Sequence, residues 1–282
     1  MRTPETMLRL ILTAAEKDEN IRAVLLTGSR ANPDCPADIY QDFDIVYFVR
    51  DVLPYWDNME WVTAQFGAPA LLQRPESMRL IPPDADGSYV YLMLFDDGNR
   101  IDLQITAKPY TGTGEPAMLL LDKDGTFPPL GVRPEHWYVR KPDQKNFSDC
   151  CNEFHWCLNN VAKGIARDEI PYAMEQLNHY VRDMLLLILE WNAGARHDFA
   201  VSAGKSGKYL KKYLPEDFYR RLLDTYSGAK PSQMWDAAFA MLSLFGDAAR
   251  DTAQRLGYAY DEAEEQAICR YMQQVKDGTG PK

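Results

Sequence analysis

The residues best suited to chemistry in this chain are three aspartates and a glycine–serine pair. Asp42 and Asp44 sit one residue apart in a run, 42–49, whose aromatic and β-branched residues predict a strand. Side chains alternate along a strand, so both carboxylates project from one face, about 7 Å apart. Like charges placed there repel and are costly to bury unpaired. A divalent cation resolves the conflict; Mg²⁺ takes oxygen ligands, commonly one or two carboxylates together with substrate phosphates. Gly28-Ser29 closes an apolar run over 21–27 that reads as a buried strand. At such a strand end, backbone N–H groups can cradle a phosphate and the hydroxyl can donate to it. Asp102 is the third carboxylate. Its neighbours Ile101, Leu103 and Ile105 are apolar and face a core, which puts Asp102 on the opposite, open face. A D-x-D on a strand also fits a solvated face. The upstream Gly-Ser and the third strand aspartate are what favour metal and phosphate.

Two basic clusters follow. Gly204-Lys205-Ser206-Gly207-Lys208 looks like a phosphate loop, but a Walker A motif requires glycine at 199, where Phe199 stands, and no strand signal precedes it. Lys205 and Lys208 are then either point charges for triphosphate oxygens or part of a basic surface loop. Lys163 to Glu169 has an ordinary explanation as a helix end followed by acids that open the next helix. Functionally, Lys163 could reach a phosphate, while an acid such as Glu169 could bind acceptor amines or take a hydroxyl proton.

The elements that must position these groups divide into two kinds. A helix opens at Thr3-Pro4-Glu5, with a cap residue, proline at the first helical position and an acid in the first turn. After the strands over 21–27 and 42–49, with a loop over 31–39 between them, comes a helix near 58–66. Strands at 89–95 and 100–106 then flank Asp96-Asp97-Gly98-Asn99, a hairpin signal. The stretch 122–144 carries four prolines and little periodicity, and a boundary falls there. Beyond it Phe154, Cys157, Leu158, Val161 and Ile165 repeat at helical spacing after Ser148-Asp149. A helix from Pro171 to Gly194 puts Met174, Leu177, Val181, Met184 and Ile188 on one face. Helices near 232–256 and 261–275 complete the chain. The expected fold class is α+β, with a mixed sheet and flanking helices over 1–135 and a helical bundle over 136–282.

The 282 residues are 46% hydrophobic and 26% charged, enough apolar mass for packed cores. The longest apolar stretch, 184–189, is far too short to span a bilayer, and the N-terminus lacks a signal-peptide pattern. A cytoplasmic protein without a membrane partner is expected. Five cysteines without a C-x-x-C pair and four scattered histidines argue for reduced thiols rather than a disulfide framework or zinc site. The net charge of −10 opposes a nucleic-acid binder that neutralises phosphates and suits a cationic small-molecule partner.

The order of strand, Gly-Ser, loop, D-x-D and distant strand aspartate resembles the polymerase-β-like nucleotidyltransferase superfamily. More specifically, Leu26-Thr27-Gly28-Ser29-Arg30-Ala31-Asn32-Pro33 and Gln41-Asp42-Phe43-Asp44-Ile45-Val46-Tyr47-Phe48-Val49 are similar to the aminoglycoside 6-adenylyltransferases, also called streptomycin adenylyltransferases. So are Ile101-Asp102-Leu103, Val161-Ala162-Lys163-Gly164 with Arg167-Asp168-Glu169-Ile170, and Gly204-Lys205 with Gly207-Lys208-Tyr209-Leu210-Lys211-Lys212-Tyr213-Leu214. The resemblance implies an N-terminal nucleotidyltransferase domain followed by a helical domain, and AMP transfer from ATP to a streptomycin hydroxyl with release of pyrophosphate. It implies Asp42 and Asp44 as Mg²⁺ ligands, Gly28-Ser29 as the phosphate clamp and Arg30 as a triphosphate contact. Asp102 would complete the metal site or act as base, with Glu169 as the second candidate base. Ile165-Ala166 departs from the family pattern, which commonly has Leu-Trp before Arg-Asp-Glu. The expected partners are ATP and a cationic aminoglycoside, for a monomer or small homo-oligomer. Two rivals share these residues: the same transfer to a lincosamide, another aminoglycoside or a macromolecule, and a nucleotide-sensing protein without catalysis.

Overall fold

The computed structural model describes residues 1–33, 35–80, 86–112, 116–130 and 134–279. Parts of the loops expected over 31–39 and 122–144 lie outside the described residues. The chain forms two compact units, Met1–His136 and Trp137–Lys282.

In the first unit, helix α1 (Pro4–Lys17) starts where Thr3 accepts the Thr6 amide at 3.3 Å, satisfying one of the open N-terminal donors. Strand β1 (Ile21–Thr27) leads into a single turn, α2 (Gly28–Ala31), and then β2 (Phe43–Val49). Helix α3 (Met59–Phe66) is capped by Asn58, which accepts the Trp61 amide at 3.0 Å. The short β3 (Leu71–Gln73) precedes β4 (Tyr89–Leu94) and β5 (Arg100–Thr106), which form the expected hairpin, and β6 (Ala117–Asp122) follows. These strands make one six-stranded sheet in the order β3-β4-β5-β2-β1-β6. β2 and β5 run parallel; the other neighbours are antiparallel.

Alternation sorts the sheet's two faces. Phe43, Ile45, Tyr47 and Val49 of β2 and Ile101, Leu103 and Ile105 of β5 are buried, in one cluster with Met7 and Ile11 of α1 and Val62 and Phe66 of α3. The intervening residues Asp42, Asp44, Arg100 and Asp102 are only part-buried, on the face away from that core. Buried tyrosine hydroxyls are satisfied by backbone: Tyr47 donates to the Ile11 carbonyl and Tyr91 to the Tyr55 carbonyl, each at 2.6 Å.

The second unit is helical. Its first helix, α4 (Gln144–Ala166), begins earlier than Ser148-Asp149 suggests, because Asp143 is the cap and accepts the Asn146 amide at 2.7 Å. α5 (Ile170–Glu175) runs through a π-helical segment, Gln176–Val181, into α6 (Arg182–Arg196). The short α7 (Leu210–Tyr213) is followed by α8 (Glu216–Asp224), α9 (Pro231–Leu256) and α10 (Glu262–Lys276). Phe154 of α4 stacks on Phe245 of α9 with centroids 3.8 Å apart, at the centre of a core that Leu185, Ile188, Met241 and Met272 also enter. Among the described residues no helix is long and apolar enough to cross a membrane, and all five cysteines are free.

One carboxyl in this unit opposes its setting. Glu190 on α6 forms no hydrogen bond or ion pair among the described residues, and burial raises its pKa from the ordinary 4.5 to about 6. The folded state therefore binds the Glu190 proton more tightly than the unfolded chain does. Stability is lost as pH rises through that interval, and the full cost stands above it. Glu190→Gln should raise the thermal midpoint near about pH 8 and leave it almost unchanged near about pH 4, as read by circular dichroism melts at both values.

Candidate active site

Parallel pairing of β2 with β5 sets the acidic groups together. Asp44 and Asp102 are register partners on the two strands, so their Cα atoms lie about 5 Å apart on the same face of the sheet. Asp42 lies two residues before Asp44, on that same face. The structure thus brings together the three aspartates singled out in the sequence, although their outermost members are sixty positions apart along the chain.

The glycine–serine corner adjoins them. Thr27, the last residue of β1, pairs with Asp44, and Gly28 follows with a left-handed φ of +70°. A Cβ on Gly28 would overlap the Asp44 carboxylate, so glycine is needed both for the backbone conformation and for the close approach. Ser29 is half-buried within the turn, and its carbonyl accepts from the Gln41 side chain at 3.2 Å.

Arg30 is committed to the chain itself. Its Nε donates to the Asp42 carbonyl at 3.0 Å and its Nη2 to the Gln41 carbonyl at 2.7 Å, while the guanidinium lies 4.0 Å over the Phe43 ring. It therefore ties the Gly-Ser corner to the start of β2, where the sequence suggested a triphosphate contact.

Arg100 is the residue that the sequence reading passed over. It forks onto Asp102, with Nε donating to Oδ1 at 2.7 Å and Nη2 to Oδ2 at 2.6 Å, and its Nη1 lies 3.4 Å from Asp42 Oδ2. The signal was available: Arg100 and Asp102 are two apart on a strand and must share a face. Burial raises the Asp42 pKa, the Arg100 charge opposes that shift, and the negative charge of Asp102 adds to it. The hydrogen bond to Asp102 raises the pKa of Arg100.

The chemistry of this donor set fits a hard divalent cation: three carboxylates share one open face, and the side-chain-free Gly28 lets the backbone close on Asp44. In the arrangement shown, no three metal-binding side chains among the described residues converge on one point. Arg100 instead bridges two of the carboxylates.

The remaining predicted residues belong to the second unit. Gly164 of α4 packs against α5, where a Cβ would stand 2.9 Å from that of Ala173. Asp168 turns the chain with φ +59°, and Glu169 stands exposed at the N-cap of α5 with no capping bond from its side chain. Lys163 is half-buried, and Lys205 and Lys208 are exposed; none of the three forms an ion pair among the described residues. Gly204, Ser206 and Gly207 all have positive φ, which costs the two glycines nothing and leaves Ser206 as the one strained residue of this turn. At the departure noted above, Ile165 is buried in the helical core and Ala166 is exposed at the end of α4.

A mixed sheet that gathers aspartates from two strands beside a Gly-Ser corner defines the framework of a nucleotidyltransferase. The chain belongs to the streptomycin adenylyltransferase family, whose sequence profile matches residues 1–275. It is 36% identical over 282 residues to an aminoglycoside 6-adenylyltransferase of Bacillus subtilis (strain 168), covering 98% of each protein. It is likewise 36% identical to that of Campylobacter jejuni, covering 98% of this chain and 97% of the relative. A crystal structure of an aminoglycoside 6-adenyltransferase from Bacillus subtilis matches 98% of the chain and 99% of its own, at 30% identity and a TM-score of 0.48.

Gly28→Ala tests the corner directly. The left-handed backbone alone costs about 1–2 kcal/mol with a side chain present, and the overlap with Asp44 adds to it. A lower thermal midpoint for the first unit is expected, and an unchanged midpoint would show that the corner relaxes freely.

Proposed function

We propose that this protein transfers AMP from ATP to a hydroxyl of a cationic aminoglycoside, with position 6 of streptomycin as the favoured acceptor, and releases pyrophosphate. The observation that carries the reading is the meeting of Asp42, Asp44 and Asp102 on one open face beside Gly28-Ser29. It stands in a chain related along nearly its whole length to aminoglycoside 6-adenylyltransferases.

In this reaction the acceptor oxygen attacks the α-phosphorus in line, and the bond from that phosphorus to the β-phosphate's bridging oxygen breaks. The acceptor hydroxyl loses its proton to a carboxylate, for which Asp102 is the first candidate and Glu169 the second. Asp42, Asp44 and Asp102 are the residues that would hold Mg²⁺, which would supply charge neutralisation on the phosphates and acidify the attacking hydroxyl. Gly28 and Ser29 offer the triphosphate backbone amides and a hydroxyl, and Arg30 keeps that corner in place. Lys163, Lys205 and Lys208 carry positive charge that no carboxylate of the described chain neutralises, the property wanted in groups that hold triphosphate oxygens. The net charge of −10 favours a polycationic acceptor and disfavours tRNA.

A second reading keeps the transfer and changes the acceptor to another aminoglycoside or a lincosamide. The exposed alanine at 166, where the family commonly has an aromatic residue, favours keeping it. Pyrophosphate release measured across an acceptor panel separates the two. Nucleotide binding with turnover on none of them would instead indicate a sensing protein.

Asp44→Asn should lower kcat for AMP transfer on the order of a thousandfold with an unchanged circular dichroism spectrum. Native turnover by this variant sinks the metal assignment. The double substitution Lys205→Ala and Lys208→Ala should raise KM for ATP about tenfold, the scale of a lost charge-assisted hydrogen bond, and change kcat less. An unaltered KM for ATP would return these lysines to the role of a surface loop.

A further inference from the structure

The carboxylate trio already has a resident cation in Arg100. Both oxygens of Asp102 are engaged by its guanidinium, at 2.7 and 2.6 Å, and the same group lies 3.4 Å from Asp42. A carboxylate gripped by a bidentate fork has one lone-pair direction of each oxygen in use. A divalent ion brought to the same oxygens would also face a fixed positive charge a few ångströms away. The two cations therefore compete for one set of ligands.

The restraints on Arg100 are one-sided. Among the described residues all its side-chain hydrogen bonds run to Asp102, and its side chain is 42% exposed. Arg30, the other arginine nearby, is tied to two carbonyls and stacked on Phe43. Arg100 also has somewhere to go, because it lines a cavity of about 610 Å³ with Leu71, Gln73, Arg74, Ser77 and Leu92. Gln73 offers a neutral polar partner there, and the Arg74 charge in the same lining is neutralised by its ion pair with Asp57.

We propose that Arg100 is a displaceable internal counterion: it neutralises Asp42 and Asp102 in the resting protein and must release them into the adjacent cavity before those oxygens can bind a divalent metal. This rests on the metal assignment made above. It also goes further, since it makes metal affinity a difference between two cations. Removing the arginine should tighten metal binding, the opposite of what loss of a supporting residue does.

The test uses Mn²⁺ as the probe, titrated into the full-length protein without nucleotide and followed by electron paramagnetic resonance of the free ion. R100Q should bind Mn²⁺ about tenfold more tightly than the wild type. Its thermal midpoint in chelator should fall below the wild-type value and rise more steeply with added Mn²⁺. R100K retains a point charge without the fork and should bind about threefold more tightly; it carries the test if R100Q needs metal in order to fold. Equal or weaker affinity in both variants overturns the counterion role. If Asp44→Asn abolishes binding in that same series, the metal assignment survives the loss. Absence of Mn²⁺ uptake by wild type and variants alike overturns both.

Discussion

Everything at the candidate site depends on one pairing, the parallel alignment of β2 with β5. Within it Asp44 faces Asp102 across neighbouring strands, so two negative charges share one part-exposed sheet face with a third two residues away. Such a grouping is unfavourable until a cation joins it. The same alternation that exposes these carboxylates buries Phe43, Ile45, Ile101 and Leu103 against α1 and α3. Moving either strand by one residue would bury the charges and expose the core. The apolar face thereby fixes the position of the acids, and the register follows from packing as much as from hydrogen bonding.

The corner that precedes β2 is coupled to the strand through three small devices. Gly28 lets the backbone pass beside Asp44, Gln41 donates to the Ser29 carbonyl, and Arg30 grips the carbonyls of Gln41 and Asp42 while resting on Phe43. The Gly28-Ser29 backbone and the Asp42 and Asp44 carboxylates are thus held by neighbouring atoms, although the described part of the intervening loop contributes little to the core. A positively charged side chain serves here as internal scaffolding, satisfied by neutral carbonyls and an aromatic face.

Much of this was legible in the sequence, for physical reasons that also mark where legibility stops. Local signals were reliable: Thr3 before Pro4, the Asp96–Asn99 turn, and the alternation along β2 and β5 all correspond to observed elements. Placing Asp102 away from the core needed only the period of a strand. The parallel partnership of β2 and β5 is long-range, and no local pattern encodes it. β6 escaped notice because, as an edge strand, it exposes Met118 and Leu119 in succession instead of alternating. α8 packs Phe218, Tyr219 and Leu222 on the core, but it is only nine residues long and crowded with Glu216, Asp217, Arg220, Arg221 and Asp224, so its short apolar stripe was passed over. The start of α4 at Asp143 was masked by the more conspicuous Ser148-Asp149 within it. Arg100 was passed over because an arginine beside an acid on a strand is common; its importance emerges only once Asp42 is seen to lie within reach of the same guanidinium.

The π-helical segment Gln176–Val181 has a consequence of its own. Buried residues in this part of the chain recur at 173, 177, 181 and 185, a strict interval of four. In a regular α-helix each such step rotates the stripe by about 40°, and three steps would carry it off the core. The wider turn absorbs that drift, so the buried stripe of α5 continues into α6. The segment therefore behaves as a built-in insertion. Deleting one residue from it would straighten the helix locally and turn all of α6 about its axis, withdrawing Leu185 and Ile188 from the bundle while every backbone hydrogen bond could still be made.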